Sequence, residues 1–459
     1  MLVSRESAQP STDRVPGEVA LSGFQRECHE VVDRGWGASP VREGGVEPLG
    51  GVGAVSGVMA HKYRLCPVEA QVPRLVMHCA HARAVWNLAL EQANLYRPEW
   101  GPTPNAAVRQ RQLAEARQDS WLGDGSSAVQ QQALRDFDQA MSNWWAGTHG
   151  RPTWRSKDRH NSFRVRDVKI RPINRRWAEL LVPKLGYVRF RLSRTLPAKH
   201  GMATVSLDRA GRWHVSFTAP QPVFERSATG RHVGIDAGVT HTLTLSTGEH
   251  LDMCELATPG EAQRKLRLQR QLARQQKGSN RRERTKRAIA RLSAREVDRR
   301  NNWIEQTTTR LVREFDLITV EDLEIRNMVR SAAGTVDNPG CRVAQKRGLN
   351  RAIHQQGWSK IRTRLEHKAA AATSPCEVVA VNPRYTSQRC ARCGHTDPNN
   401  RESQTVFVCR ACNHHANADV NASENLDAAG HAVTGRGGQL LPDETSTTRA
   451  TKRPRNPRP

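Results

Sequence analysis

The chain has 459 residues and a formal net charge of +26, which is long enough for about two to four domains with cores of their own. Such an excess of positive charge is typical of proteins that bind a polyanion, and nucleic acid is the commonest one. A ribosomal-type or merely soluble basic protein has a similar composition, so charge alone leaves those classes open. No apolar run reaches the length of about 18 residues that a transmembrane helix needs, and the first residues lack the charged-then-apolar pattern of a secretory signal.

The N-terminal region changes character at Met59. Residues 1–58 show no sustained hydrophobic period, and we expect them to be a disordered extension. Residues 60–65 then alternate in the manner of a strand. An internal start at Met59 would explain this change, and the preceding stretch would then belong to an over-extended reading frame.

Residues 68–150 are predicted to be helical. The clearest helix starts at Ser127, where Ser-Ala-Val-Gln has the spacing of a capping box. Apolar residues then recur every three or four positions, as on one face of a helix. A stripe that faces the core accounts for these residues without any ligand: Leu134, Phe137, Met141 and Trp144.

Residues 151–230 return to the alternation of strands. In the segment 187–192 the alternate positions are basic, so Arg189 and Arg191 are expected on one face. A sheet with one apolar and one cationic face can pack on a core and bind phosphates at the same time. An ordinary solvated face explains this strand equally well.

Residues 261–300 are predicted to form a basic helical hairpin that turns near Gly278. This stretch holds 15 Lys or Arg residues against four acidic residues, an imbalance too one-sided for internal ion pairs alone. We therefore expect a phosphate partner here, with Arg281 and Arg282 among its contacts.

Two pairs of cysteines have the spacing of metal ligands. The chain has ten cysteines, of which six are scattered singly and four form two Cys-x-x-Cys pairs: Cys390, Cys393, Cys409 and Cys412. Two such pairs at this separation predict a closed tetrahedral thiolate site, which suits a structural zinc ion. The distribution also indicates a reducing compartment rather than a disulfide framework, so we expect a cytoplasmic protein.

Three acidic residues far apart in the sequence each lie at a structural boundary. Asp236 follows an apolar strand, Glu321 ends another, and Asp419 comes directly after the cysteine region. Taken singly, each has an ordinary structural explanation. Asp236 could cap a hairpin turn, Glu321 could lie on the surface, and Asp419 could N-cap a helix. Taken together, they could converge on Mg²⁺ or Mn²⁺, since carboxylates are the preferred ligands of these ions. Two such ions support phosphodiester cleavage.

Five motifs carry a resemblance to a known family. They are Gly-Ile-Asp-Ala-Gly around Asp236, Val-Glu-Asp-Leu around Glu321, Thr-Ser-Gln-x-Cys-x-x-Cys-Gly from Thr386, the second Cys-x-x-Cys, and Ala-Asp-Val-Asn-Ala around Asp419. In this order they resemble the TnpB/OrfB family, the nucleases that bacterial insertion sequences encode beside transposases, which are related to compact type V CRISPR effectors. The resemblance runs from about Met59 to Leu426 and includes Lys-Tyr-Arg-Leu-x-Pro at residues 62–67.

The resemblance implies an α/β protein with a RuvC-like nuclease domain of RNase H-like fold. By the same resemblance, Asp236, Glu321 and Asp419 match the three catalytic carboxylates. The implied organisation is a wedge β-barrel at 59–67 and 151–230, a helical recognition insert at 68–150, a nuclease domain at 231–389 and 413–430, a zinc ribbon at 390–412 and a disordered basic tail at 431–459.

The family's activity is RNA-guided, Mg²⁺- or Mn²⁺-dependent cleavage of DNA. It implies a guide RNA from the transposon end and a target DNA as partners, no membrane partner, and a bacterial cytoplasmic protein that joins the nucleoid when bound to DNA. Asn417 stands where the family often has an acid, and His367 where it often has Tyr, but neither departure removes a carboxylate or a thiolate. The alternatives are a strand-transferring transposase, which the lack of a recognisable end-binding domain disfavours, and a silent RNA-guided repressor, which the intact acids disfavour.

Overall fold

The computed structural model describes residues 58–97, 99, 103–335 and 337–435. The expected N-terminal extension up to residue 57 and the expected tail from residue 436 onward lie outside the described residues. At both borders regular structure goes further than expected, because Val58 already belongs to a strand and residues 431–435 continue a helix. The chain divides into two compact units: the first takes in the described residues up to Gln221 together with 274–291, and the second takes in 222–273 and the residues from Leu292 onward.

The first unit is built around a seven-stranded antiparallel sheet. Its strands are β1 (Val58–Leu65), β2 (Ser162–Val165), β3 (Ile170–Asn174), β4 (Trp177–Val182), β5 (Gly186–Arg191), β6 (Ala203–Leu207) and β7 (Trp213–Pro220). They are hydrogen-bonded in the order β2-β6-β7-β1-β5-β4-β3, so β1, the first strand in sequence, lies in the middle of the sheet. The sheet is therefore complete only after the chain has passed through the helices that follow β1.

The core of this sheet follows from strict alternation along its strands. In β7, Trp213, Val215 and Phe217 are buried while the residues between them are more exposed. Phe217 packs against Phe190 of β5 and Tyr63 of β1, and the three ring centroids lie 5.6 to 5.9 Å apart. Tilted and edge-on aromatic contacts of this kind stabilise a core beyond the area that they bury.

The described residues between β1 and β2 include three α-helices: α1 (Val72–Leu95), α2 (Ala106–Ala116) and α3 (Ser127–Trp145). In α3, Leu134, Phe137 and Met141 are buried, as the helical period predicts. The predicted capping box is wrong, because Ser127 is already helical and the N-cap Ser126 makes no side-chain cap hydrogen bond. Gln130 is buried and donates instead to the carbonyl oxygen of Leu122 at 2.7 Å.

The second unit has a five-stranded mixed sheet. Its strands are β8 (His232–Asp236), β9 (Leu243–Leu245), β10 (His250–Leu251), β11 (Leu317–Glu321) and β12 (Glu377–Val381), in the order β10-β9-β8-β11-β12. β8 runs antiparallel to β9 and parallel to β11, and β11 runs parallel to β12. The two central strands, β8 and β11, therefore end at the same edge of the sheet.

Six further helices follow the first strands of this sheet. They are α4 (Pro259–Arg274), α5 (Asn280–Glu314), α6 (Ile325–Met328), α7 (Val343–Gln356), α8 (Trp358–Ala370) and α9 (Ala418–Gly435). The hairpin of α4 and α5 turns at Gly278, whose φ is +84°. α5 continues well beyond residue 300, because its later residues Ile304, Leu311 and Val312 enter the hydrophobic core. Among the described helices, none combines the length and hydrophobicity that crossing a membrane requires.

Helix α9 packs directly across the five-stranded sheet. Two glycines make this close approach feasible. A Cβ at Gly234 of β8 would overlap the backbone of Ser423, and a Cβ at Gly430 of α9 would overlap the side chain of Thr319 on β11. The fold thus holds α9 against the central strands at fixed height and rotation, which determines where its first turn lies.

Candidate active site

Two of the candidate acids lie at the ends of neighbouring strands, on the same edge of the sheet. Asp236 is the last residue of β8 and Glu321 is the last residue of β11, and the parallel register pairs Ile235 with Val320 immediately before them. Neighbouring strands lie about 4.8 Å apart. The carboxyl ends of parallel strands are the usual place for a ligand in an open α/β sheet.

Asp419 lies in the first turn of α9. The side-chain oxygen of Asn417 accepts hydrogen bonds from the backbone N–H groups of Asp419 at 2.9 Å and Val420 at 3.2 Å. Asn417 therefore caps the helix, and Asp419 is its second residue rather than its N-cap. The residue that departs from the family pattern thus stabilises the turn that presents Asp419.

The charge of Asp419 helps to raise the pKa values of the other two candidate acids. Burial raises the pKa of Asp236 to about 7, and the charge of Asp419 adds to this, while Arg401 acts in the opposite direction. Burial raises the pKa of Glu321 to about 8, helped by the charges of Asp236 and Asp419 and opposed by a hydrogen bond from the N–H of Ala237. Carboxylates gathered in this way resist ionisation until a cation joins them.

The three acids do not form one compact ligand group in this structure. Within the described residues, the groups of side chains that bring one ligand atom each within 4.8 Å of one another do not include Asp236, Glu321 and Asp419 together.

Arg401 is a cationic neighbour of this group that no pattern in the sequence predicts. Its guanidinium donates to Asp419 Oδ1 at 3.1 Å and to the carbonyl oxygen of Gln404 at 2.9 Å. The residue lies in the loop between the two cysteine pairs, where no period or spacing signals a role. A fixed guanidinium beside carboxylates is suited to contacting a phosphate group.

The four paired cysteines come together as their spacing predicts. Sγ of Cys390 lies 3.8 Å from Sγ of Cys412, and Sγ of Cys393 lies 3.5 Å from Sγ of Cys409. All four sulfurs lie within 4.8 Å of one another. Zn–S bonds of about 2.3 Å in a tetrahedron separate the sulfurs by about 4 Å. The cluster can therefore hold a structural metal such as zinc.

The two cysteines of the second pair differ in their tendency to ionise. Burial opposes ionisation of Cys409, but hydrogen bonds from the N–H groups of Cys412 and Ala411 and from the thiols of Cys393 and Cys412 outweigh it and lower the pKa of Cys409 to about 6. The hydrogen bond with the Cys393 thiol instead raises the pKa of Cys412 to about 12. Thiolate is the form that ligates a metal. The flanking strands β13 (Val406–Val408) and β14 (His415–Asn417) pair antiparallel and lead directly into α9.

Two buried asparagines join the first cysteine pair to α9, and the sequence analysis missed both. Asn421 donates to the carbonyl oxygen of Arg389 at 2.7 Å and accepts from the N–H of Ala391 at 2.9 Å. Asn425, one turn later, donates to the carbonyl oxygens of Arg389 at 2.7 Å and Thr386 at 3.0 Å. The detectable signal is two asparagines four residues apart on the helix face that faces the protein interior.

Arg189 and Arg191 lie on the exposed face of β5, but that face is not purely cationic. Arg189 Nε lies 3.4 Å from the Glu179 carboxylate, which Arg171 also contacts. Arg191 pairs across the sheet with Arg64 of β1, and both are exposed. Like charges opposite each other destabilise a sheet slightly unless an anion lies between them, so this pair is a better candidate for a phosphate contact than Arg189.

Arg281 and Arg282, the two arginines predicted to contact phosphate from the helical hairpin, also differ in their surroundings. Arg281 is exposed, whereas the Arg282 guanidinium donates to the carbonyl oxygen of Gln275 at 3.0 Å and so supports the turn. Several hairpin acids are in ion pairs, among them Glu261 with Arg295 and Arg299, Glu296 with Lys265, and Glu283 with Lys286. More internal pairing therefore exists than the sequence suggests.

Fold and site together define the class of protein: a mixed α/β protein in which strand-end acids and a four-cysteine hairpin converge on one helix. The family model described as "OrfB_IS605: Probable transposase" matches residues 215–332, which contain Asp236 and Glu321. The model described as "Cas12f1-like, TNB domain" matches residues 358–426, which contain the four cysteines and Asp419.

Similarity to whole proteins identifies the family. A protein of Escherichia coli K12 named "Putative RNA-guided DNA endonuclease InsQ" is 37% identical over 386 residues, which are 82% of this chain and 93% of that protein. A "Putative RNA-guided DNA endonuclease" of Streptomyces pristinaespiralis is 32% identical over 84% of this chain and 93% of that protein. The chain belongs to the TnpB/OrfB family. The solved "Structure of the mini-RNA-guided endonuclease CRISPR-Cas_phi3" is 9% identical, with a TM-score of 0.44, and covers 82% of this chain and 92% of that one.

Proposed function

We propose that the protein is an RNA-guided, Mg²⁺- or Mn²⁺-dependent DNA endonuclease of the TnpB type, encoded by an insertion sequence. The observation that carries the proposal is the juxtaposition of Asp236 and Glu321 at the ends of parallel neighbouring strands, electrostatically coupled to Asp419. The names of the two long relatives support the same activity. The net charge of +26 fits a nucleic-acid substrate.

Asp236, Glu321 and Asp419 would hold the divalent ions. When bound, two such ions activate the attacking water and stabilise the leaving oxygen of the phosphodiester. The chain's own contribution is to bring the carboxylates together and to place Arg401 beside them, where its guanidinium can contact the phosphate that is cut. A zinc ion at the four cysteines would be structural, and it would fix the loop that carries Arg401.

We assign the five-stranded unit to a RuvC-like nuclease domain, the cysteine hairpin to an inserted zinc ribbon, and the seven-stranded sheet with α1 to α3 to a wedge domain with a helical recognition insert. The central pair of parallel strands with terminal acids supports the first assignment, and the four clustered sulfurs support the second. A guide RNA from the transposon end and target DNA are the partners in this proposal. Exposed cations on β1 and β5, among them Lys62, Arg64 and Arg191, are offered as phosphate contacts.

The test separates cutting from binding. The protein is expressed with its transposon end, purified with the RNA that accompanies it, and given DNA that matches the guide in the presence of Mg²⁺. Asp236→Ala should abolish cleavage and leave the amount of bound RNA nearly unchanged, since Asp236 serves the ions and not the grip on phosphates. Asp322→Asn is the matched control, because Asp322 follows Glu321 directly but its side chain is 62% exposed and pairs with Arg362.

The other outcomes point to the alternative functions. Cleavage by the Asp236→Ala variant would overturn the assignment of the active site. Guide-dependent DNA binding without cleavage by the unaltered protein would favour a repressor, and joining of DNA ends would favour a strand-transferring transposase.

A further inference from the structure

A second cluster of metal-ligating side chains lies away from the cysteines and the acids. His232 opens β8, and Asp427 and His431 lie one turn apart on α9. Among the described residues, these three form the second of two groups in which one ligand atom from each side chain lies within 4.8 Å of the others; the first is the four cysteines.

This cluster has contacts that an ordinary surface ion pair lacks. His232 Nδ1 lies 2.8 and 3.0 Å from the two carboxylate oxygens of Asp427. The rings of His232 and His431 meet edge to face, with their centroids 4.0 Å apart. The Asp427 side chain is only 15% exposed, and the hydroxyl of Ser246 contacts its carboxylate at 3.4 Å. A hydrogen bond to a ligating carboxylate is what orients such a ligand in known metal sites.

We propose that His232, Asp427 and His431 form a binding site for a divalent transition-metal ion of the zinc class. Zn–N and Zn–O bonds of about 2.0–2.1 Å place the ligand atoms roughly 3.3 Å apart. This is close to the 2.8 Å between His232 Nδ1 and the Asp427 carboxylate and lies within the 4.8 Å that encloses all three ligand atoms. Two imidazoles and one carboxylate suit Zn²⁺, Co²⁺ or Ni²⁺, whereas Mg²⁺ prefers oxygen ligands throughout. Three protein ligands on an exposed edge leave the fourth position to water.

The site is separate from the proposed nuclease centre. His232 and Asp236 are the two ends of β8, about 13 Å apart at the rise of a strand. Asp427 lies eight residues after Asp419 on α9, about 12 Å along the helix. A bound ion would tie the start of β8 to the middle of α9. The inference stands independently of the nuclease proposal.

The same unit contains a matched control. His241 Nδ1 lies 3.1 Å from the Asp252 carboxylate, and the His250 ring lies 4.1 Å from the His241 ring. These rings are stacked at 22° rather than perpendicular, and the trio is not among the metal-ligating groups of the described residues. It therefore has similar chemistry without the converging ligand atoms.

The experiment counts metal in the full chain. Protein with a loaded cysteine site is dialysed against buffered Zn²⁺ in millimolar Mg²⁺, which occupies the carboxylates, and zinc per chain is measured by mass spectrometry. The unaltered protein should hold a second equivalent of zinc. His431→Ala and His232→Ala should each lose it, while His250→Ala and Asp236→Ala should keep it. Thermal melts establish that each variant is folded.

The contrary results are equally distinct. A single equivalent in the unaltered protein would overturn the proposal. So would a second equivalent that survives His431→Ala, or one that His250→Ala removes equally, since either would indicate scattered surface histidines. None of these counts depends on whether the protein cuts DNA, so a failure here is distinguishable from a failure of the proposed nuclease activity.

Discussion

The side-chain amide of Asn421 donates to the carbonyl oxygen of Arg389 at 2.7 Å, and so attaches helix α9 to the residue that precedes Cys390. Asn421 is fully buried, and its side-chain oxygen also accepts the N–H of Ala391. The helix that carries Asp419 and the turn that carries the first two cysteines are therefore held as one piece. A metal ion at the cysteines would therefore also steady the start of α9, where Asp419 lies.

Asn421→Ala should destabilise the protein by about 2–3 kcal/mol, because it removes two buried hydrogen bonds and leaves the N–H of Ala391 and the carbonyl of Arg389 with one partner fewer. Denaturant unfolding measures the loss, and zinc affinity measured on the same sample should fall with it. Asn327→Ala is the control, since Asn327 is exposed and its side chain bonds to its neighbour Glu324. Equal stability of the two variants would contradict a structural attachment at Asn421.

Arg401→Ala should reduce cleavage by about 10²–10³-fold while leaving RNA binding intact, as expected for a fixed donor that acts on charge developing at the reacting phosphate. Single-turnover cleavage of guide-matched DNA is the measurement. Arg410, in the same hairpin, pairs with Glu402 at 3.1 Å and is more exposed, so Arg410→Ala should cut normally. If both variants cut alike, Arg401 serves only to hold the loop.

The raised pKa of Asp236 predicts how stability depends on pH when no divalent ion is added to the zinc-loaded protein. The folded state holds the Asp236 proton up to about pH 7, whereas an unfolded aspartate releases it near pH 4. Folding therefore loses stability as pH rises through this window, by at most an amount on the order of 4 kcal/mol.

The difference in unfolding free energy between Asp236→Asn and the unaltered protein isolates this effect from other titrations. It should grow in favour of the variant between pH 4 and pH 8, and added Mg²⁺ should restore the unaltered protein but not the variant. A difference that stays flat across this range would mean that the Asp236 carboxylate is not held in the buried, like-charged surroundings described above.

Gly430→Ala should destabilise the protein by about 1–3 kcal/mol, because the new Cβ would overlap Thr319, which is itself fully buried on β11. Gly348→Ala is a matched change in helix α7, where nothing lies within 4 Å of the added Cβ. The free energy of unfolding of the Gly348→Ala variant should rise by up to about 1 kcal/mol, because alanine has a higher helix propensity than glycine. Chemical denaturation of both proteins gives the two signs directly.

Replacing both Arg64 and Arg191 by Ala should weaken RNA binding. The slope of the logarithm of the binding constant against the logarithm of the salt concentration should flatten by up to about one unit per lost phosphate contact. Binding of the co-purifying RNA is titrated across a range of KCl concentrations. Arg310→Ala is the control, since Arg310 is engaged with Glu249 and Glu314. An unchanged slope in the double variant would mean that this face of β1 and β5 is ordinary solvated surface.

The sequence was most informative where a side chain's role depends on spacing. Cys-x-x-Cys pairs place two sulfurs on one turn wherever they occur, and the predicted approach of the four sulfurs is confirmed. The helical period of α3 likewise identified Leu134, Phe137 and Met141 as core. These patterns are local, and local geometry follows from the order of residues alone.

Features that depend on the approach of distant segments were not predictable in this way. Arg401 reaches Asp419 across a loop whose sequence has no period, and Asn421 and Asn425 acquire meaning only when the cysteine turn lies against α9. The capping box failed in part for the same reason, since the side-chain nitrogen of Gln130 lies 3.0 Å from Nδ1 of His81, which is 49 residues earlier on α1. The seven-stranded order, with β1 in the middle, is also set by pairings between strands more than a hundred residues apart.

Helix α9 presents three groups of side chains along a single axis, with Asp419 at its start, Asn421 and Asn425 in its middle, and Asp427 and His431 beyond them. One extra residue in an α-helix turns everything after it by about 100° and moves it by about 1.5 Å. An alanine inserted after Asn425 would therefore leave the acid and the cysteine attachment in place while rotating Asp427, Gly430 and His431 out of phase with the sheet. A change in the length of this helix should therefore be more disruptive than a substitution at one of its exposed positions, and we expect related chains to keep the number of residues between Asp419 and His431.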